Sequence, residues 1–165
     1  MYTIERFGFK DRPEELMEIW GEMAIKEYRD NVYIKDGVAE YLEFLYNKGI
    51  CMGVATASNE ELFIPCLKHN NILQYFHSFT TVNEAGKSKE SAEVYLMAAK
   101  KMGLTSEECA VFEDLPLGLN SANRAGFYTV AIPDNFSKES HERLNLEVKC
   151  ICDDFKGENI RKLFD

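Results

Sequence analysis

No apolar run in the sequence approaches the roughly 20 residues that a helix needs to cross a bilayer, which argues against a membrane span. The amino terminus has no signal-peptide layout of basic start, apolar centre and small-residue cleavage site. Bases are in deficit. Against 28 Asp and Glu stand 19 Lys and Arg, a formal charge of -9. No basic block is interleaved with aromatics, so the electrostatic footprint of a nucleic-acid binder is missing. These absences together point to a cytoplasmic protein. C-x-x-C spacing is also lacking. The five cysteines, Cys51, Cys66, Cys109, Cys150 and Cys152, are an odd number and read as reduced thiols used as small hydrophobes. Cys150-x-Cys152 has no second pair or nearby histidine to complete a soft-metal site. His69, His77 and His141 are scattered through polar turns and read as surface residues. There are no internal repeats or low-complexity segments.

What is present is the composition of a folded chain. It is 45% hydrophobic and 12% aromatic, and 165 residues are enough for one domain with a small appendage. "DRPE" opens a first helix, with Asp11 as cap, Pro13 in the first turn and Glu14 completing a capping box. Leu16, Met17, Trp20, Met23, Ala24 and Tyr28 follow at helical spacing. A second amphipathic helix runs from Val38 to Lys48 and ends at Gly49. Strand and helix then alternate. "ICMGVAT", "FHSFTTV", "CAVFE", "FYTVAIP" and "VKCICDD" read as strands. "EELFIPCLKHN" (kinked at Pro65), "SAEVYLMAAKKMG", "LGLNSANRAG" and "GENIRKLF" read as the helices between and after them. Such alternation predicts an α/β fold, a Rossmann-like parallel sheet flanked by helices on both faces. In these folds ligands bind beyond the carboxyl ends of the strands.

Three strand ends carry chemistry. The first reads "TASNEE": Thr56 offers a hydroxyl, and Ser58 with Glu61 forms a capping box. The free N–H groups of the next helix would complete an anion pocket there; an ordinary capped turn is the alternative. The second feature is "EAGKSKESAEVY", where Lys87 or Lys89 could reach an anion at the first tip, or could simply be solvated. The third is "VFED". Glu113 and Asp114 repel one another at the end of a buried run, and Mg²⁺, a hard cation with oxygen ligands, would relieve that repulsion. Asp114 could instead cap the helix that follows. Hydroxyl, ammonium and metal at neighbouring strand tips are the groups that stabilise a phosphoryl group in transfer.

"GVATASN", "GKSKESAEVY" and "VFEDLPLGLNSANRAG" resemble the second, third and fourth motifs of the haloacid-dehalogenase superfamily, and in particular its β-phosphoglucomutase-like phosphatases. The likeness covers Gly37 to the carboxyl terminus. It implies that Thr56 binds phosphoryl oxygens, with Ala57, Ser58 and Asn59 lining the same turn. Lys89, whose distance to Val94 and Tyr95 fits the family pattern better than that of Lys87, would neutralise the phosphate. Asp114 would bind Mg²⁺ with Glu113 beside it. Leu115 stands where the family has Ser or Ala, and Glu90 and Ala92 where it has proline.

One motif has no counterpart. Family enzymes begin with a strand ending in D-x-D-x-[TV], which supplies the nucleophile and the general acid/base, and no D-x-D occurs in this chain. Asp11, Asp30 and Asp36 precede Thr56, and none ends an apolar strand. In the family the missing strand lies mid-sheet, between the strands ending at Thr56 and Asp114. Its loss should expose apolar edges or let those strands close up. Residues 1–33 resemble the latter part of a helical cap, leaving 34–165 as the α/β core. The expected function is Mg²⁺-dependent phosphatase or mutase chemistry on a small phosphorylated metabolite such as a sugar phosphate, from an amino-terminally incomplete chain. The alternative is an inactive Mg²⁺- and phosphate-binding or interaction module. An exposed sheet edge offers a route to homodimers.

Overall fold

The computed structural model describes residues 8, 12–132, 148–152 and 154–164. The expected cap Asp11 and the loop histidine His141 lie outside the described residues. Helix α1 spans Pro13–Asp30. Arg12 takes the cap position, and its backbone N–H donates to the Glu15 carboxylate at 3.1 Å. Helix α2 spans Val38–Asn47 and packs Tyr41, Leu42 and Leu45 into the core. Gly49 follows it at φ +74°, a left-handed conformation that glycine adopts without a steric penalty.

The βα alternation is observed, with strands shorter than their apolar runs. Strand β1 is Gly53–Thr56 and β2 is Ser78–Thr81. Strand β3 is Ala110–Glu113, β4 is Tyr128–Ala131 and β5 is Cys150–Ile151. Helix α3 (Glu60–His69), with Pro65 inside it, follows β1. A short α4 (Val82–Ala85) and then α5 (Glu93–Lys101) follow β2. Helix α6 (Pro116–Arg124) follows β3, and α7 (Glu158–Arg161) closes the described chain.

All described strand pairs are parallel, yet they form two half-sheets rather than one. β1 pairs only with β2, and β3, β4 and β5 pair in that order. The facing strands β1 and β3 have not closed up. Between them lies an apolar cavity of about 590 Å³, lined by Met52, Gly53 and Ala55 on one side and by Ala110, Val111 and Phe112 on the other. Tyr41 and Leu42 of α2 and Ala98 and Ala99 of α5 also line it. Two hydrophobic clusters meet around this gap. One is built on α2, β4 and α7 through Tyr41, Leu45, Val130 and Ile160, the other on α5 and α6 through Val94, Ala99 and Ala122.

Two local expectations are corrected. Asn59, not Ser58, stands at the cap of α3, and it makes no side-chain capping bond. Ser58 lies one residue too early, and its own N–H is turned back to Thr56. Half of the helical stripe on α1 is exposed. Leu16 is buried, whereas Met17, Ile19, Trp20 and Met23 face outward. Among the described residues α3 is the element that packs broadly on this helix, and of the stripe it leaves Leu16, Ala24 and Tyr28 buried or half-buried.

Candidate functional site

The carboxyl ends of the two half-sheets meet a cleft of about 410 Å³, lined by Lys35, Ala55, Lys89, Phe112, Glu113 and Asp114 among others. β1 reaches this cleft through Ala55, and Thr56 is the next residue along. Lys89, Glu113 and Asp114 are therefore brought together, with Thr56 at the margin.

Glu113 is the best-anchored group. Its residue exposure is 6%. Oε2 accepts from Lys89 Nζ at 2.6 Å and from Tyr95 OH at 2.9 Å, while Oε1 accepts from the Leu115 N–H at 3.2 Å. Burial pushes this carboxyl up, but the Lys89 charge and hydrogen bond, aided by bonds with Asp114 and the Leu115 N–H, outweigh burial and hold it below the usual carboxylate range. Burial, and then the Glu113 charge, push the Tyr95 phenol far above its ordinary value, so it stays a neutral donor.

Lys89 sits on the loop before α5, and the loop is fastened to α6: Ser121 Oγ donates to the Lys89 carbonyl at 2.7 Å. The Lys89 side chain is 22% exposed, enough to reach a ligand in the cleft. Lys87 points elsewhere, pairing with Glu93 at 3.2 Å on the surface. Gly118 in the first turns of α6 completes the enclosure. A Cβ there would sit 2.6 Å from Tyr95 OH and 2.9 Å from Glu113 Cγ.

The first tip is looser. Thr56 Oγ1 accepts from the Ser58 N–H at 3.0 Å, a bond within the turn itself. Ala57 and Asn59 are exposed, and Asn59 Oδ1 accepts from Asn83 Nδ2 at 3.0 Å. Glu60 and Glu61 occupy the first turn of α3. They suit the helix dipole but repel an anion at that end.

Sequence reasoning missed Tyr95, Ser121 and Gly118 as parts of this arrangement. A tyrosine on a buried helix face needs a polar partner, and that was the available signal for Tyr95. Ser121 and Gly118 carried none beyond their place in the helix after the acids.

For a divalent cation the donor set is small. Glu113 spends its oxygens on protein donors, and Asp114, half-buried at the cleft and itself bonded with Glu113, is the second carboxylate that could offer a ligand oxygen. Among the described residues no cluster of three or more potential ligands occurs. Mg²⁺ tolerates this, because it binds through one or two carboxylates and keeps several waters.

Parallel strands with helices between them, ending at a lysine–carboxylate cleft, define an α/β protein of the Rossmann-like class. The chain belongs to the haloacid dehalogenase-like hydrolase family, whose family model matches residues 2–132. It is 31% identical over 133 residues to the Bacillus subtilis protein YhcW, covering 81% of this chain and 60% of that one. It is 25% identical over 123 residues to a phosphorylated carbohydrates phosphatase of Thermotoga maritima, covering 74% of this chain and 57% of that one. A solved β-phosphoglucomutase from Clostridium difficile superposes with a TM-score of 0.69 at 21% identity, covering 98% of this chain and 73% of that one. The chain thus spans about 60% of the length of the curated relatives it matches. Among the described residues no helix is long and apolar enough to cross a membrane.

Proposed function

We propose that this chain carries the phosphate- and metal-binding half of a phosphoryl-transfer site acting on a small phosphorylated metabolite, a sugar phosphate in the first instance. The observation that carries the reading is the Lys89–Glu113–Tyr95 arrangement, which fixes one partly exposed ammonium at the mouth of a cleft where β1 also ends. Lys89 would neutralise phosphoryl oxygens, with the Thr56 hydroxyl and the turn at Ala57, Ser58 and Asn59 contacting them from the other half-sheet. Asp114 would hold Mg²⁺, and Glu113 would act on Lys89 rather than on the metal. A bound Mg²⁺ would supply charge to stabilise the transferring group. The amino-terminal segment, residues 1–33, with α1 at Pro13–Asp30, would then correspond to part of a helical cap domain. The Thermotoga relative's activity on phosphorylated carbohydrates supports the substrate class.

The covalent step needs a nucleophilic carboxylate, and no D-x-D is present to supply it. The second reading, a Mg²⁺- and phosphate-binding module without turnover, is favoured for the 165 residues alone. Calorimetric titration with orthovanadate in the presence of Mg²⁺ tests the site. Binding that is lost in Lys89→Met and in Asp114→Asn supports it, and binding unchanged in both sinks it. Mg²⁺-dependent hydrolysis of p-nitrophenyl phosphate by the chain alone would overturn the second reading.

A further inference from the structure

Two of the five cysteines are placed against each other. Cys150 and Cys152 flank Ile151 at β5, and successive residues of a strand point to opposite faces. Ile151 accordingly faces outward, while both thiols turn into the cluster that holds Tyr41, Val130 and Ile160. The ladder to β4 runs on to the second of them, since the Cys152 N–H donates to the Ala131 carbonyl at 2.9 Å. The two sulfurs lie 3.4 Å apart, in contact. Residues two apart in a strand have Cα atoms about 6.6 Å apart, just inside the limit of about 6.8 Å that a disulfide spans. To bond, the sulfurs need approach by only about 1.4 Å.

We propose that Cys150 and Cys152 form a redox-modification site, a dithiol that a hydroperoxide closes to a disulfide within the strand. Cys150 is half-buried and Cys152 is 5% exposed, so a small oxidant meets Cys150 first. The Cys150 thiolate attacks the peroxide: an S–O bond forms, the O–O bond breaks, and the departing oxygen takes up a proton. The Cys152 thiolate then attacks the Cys150 sulfur. An S–S bond forms, the S–O bond breaks, and the hydroxide that leaves is protonated to water. Two thiols lose two electrons in all, and one hydroperoxide is reduced to an alcohol, or to water when it is hydrogen peroxide itself. Capture by Cys152 keeps the Cys150 sulfenic acid off the irreversible steps of thiol oxidation. The wide Cα spacing makes the bridge easy to reduce, which suits a reversible modification rather than a structural staple. Cys66 and Cys109 are poorer targets, because burial pushes both thiols up and leaves less thiolate to react. This chemistry is independent of the phosphoryl-transfer reading, since it requires neither phosphate nor metal.

Trypsin cuts after Lys149 and Lys156, so residues 150–156 leave as one peptide with both thiols and no other cysteine. The full chain is treated with hydrogen peroxide, blocked with N-ethylmaleimide and digested for mass spectrometry. The peptide should be unlabelled and lighter by two hydrogens, and reduced glutathione added before blocking should restore both labels. Cys152→Ala removes the thiol that closes the bridge. Cys150 should then hold a sulfenic acid that dimedone traps at least tenfold more than in wild type. A doubly labelled peptide after peroxide, or a bridge from either residue to Cys51, Cys66 or Cys109, would overturn the proposal. So would a bridge that glutathione leaves closed, or equal dimedone trapping in wild type and Cys152→Ala. The wild-type peptide mass decides the matter even where Cys152→Ala fails to fold.

Discussion

The tips of β3 and β1 differ in how they are held. At β3, Glu113 is fixed by groups from two distant places, Lys89 on the loop before α5 and Tyr95 on α5 itself, as well as by the Leu115 N–H two residues on. At β1, the Thr56 hydroxyl is fixed by its own turn, two residues on. One tip is over-determined by tertiary contacts, and the other is local. The tip that carries the charges is therefore held from elsewhere in the fold, while the hydroxyl at the other tip is held within its own turn.

The largest effect should come from the over-determined tip. Glu113→Ala strands the Lys89 ammonium and the buried Tyr95 hydroxyl together, and removing one partner of a buried pair costs about 3 kcal/mol. Denaturant unfolding would measure this, and a loss below about 1 kcal/mol would put Glu113 among ordinary surface pairs. Glu113→Gln sharpens the point through pH. The native carboxyl is held below its ordinary value of 4.5. Its contribution is therefore complete above that value and is lost as pH falls through the lower folded pKa. The stability gap between wild type and Glu113→Gln should be flat from neutrality to about pH 5 and should narrow below it. A gap that widens on acidification would reverse the assignment.

Gly118→Ala attacks the same tip from the packing side. The added methyl would press on Tyr95 OH at 2.6 Å and on Glu113 Cδ at 3.0 Å, both immobilised by hydrogen bonds. Overpacking of this kind costs about 2 kcal/mol. An unchanged melting temperature would mean that the tip has slack, which would remove the contrast with β1.

How far these tips could be read in advance depends on where their partners lie in sequence. The apolar run "CAVFE" before two acids was sufficient to place Glu113 and Asp114 at a strand end. Lys87 and Lys89 stayed open in the sequence beyond the preference the family resemblance gave, and it is the fold that puts Lys89 in the cleft and Lys87 on Glu93. The α/β alternation was legible because period and punctuation are local. Adjacent acids, however, look alike in a sequence. Only the fold shows that Glu113 turns inward to Tyr95, 18 residues away, while Asp114 stays at the cleft. The outward-facing Met17, Trp20 and Met23 were illegible in the same sense. Helical period identifies an apolar face but not whether anything covers it.

The two acids should also separate in their response to metal. Asp114 with a mostly aqueous Mg²⁺ shell should bind at about millimolar affinity, near 4 kcal/mol. At 10 mM Mg²⁺ this stabilises the native state by about 1.4 kcal/mol. In Asp114→Asn the dependence should vanish. A melt series in which Mg²⁺ raises wild type and Asp114→Asn equally would move the cation elsewhere and leave Asp114 with a local structural role.

The smallest effect belongs to the local tip. Thr56→Val keeps the shape and the β-branch and removes the hydroxyl that accepts from Ser58 N–H. Ser58 is half-buried, so water can replace part of that bond, and the cost in stability should be about 0.5 kcal/mol. If Thr56 contacts the ligand, orthovanadate affinity should fall by about tenfold, or 1.4 kcal/mol, in the same variant. That split, little stability and much binding, is the signature of a group placed for a ligand rather than for the fold. At β3 the order is reversed, because Glu113 supports the structure that presents Lys89. A Thr56→Val variant as unstable as Glu113→Ala would show that β1's turn anchors the half-sheet after all. The two tips would then differ in chemistry alone, and not in how they are held.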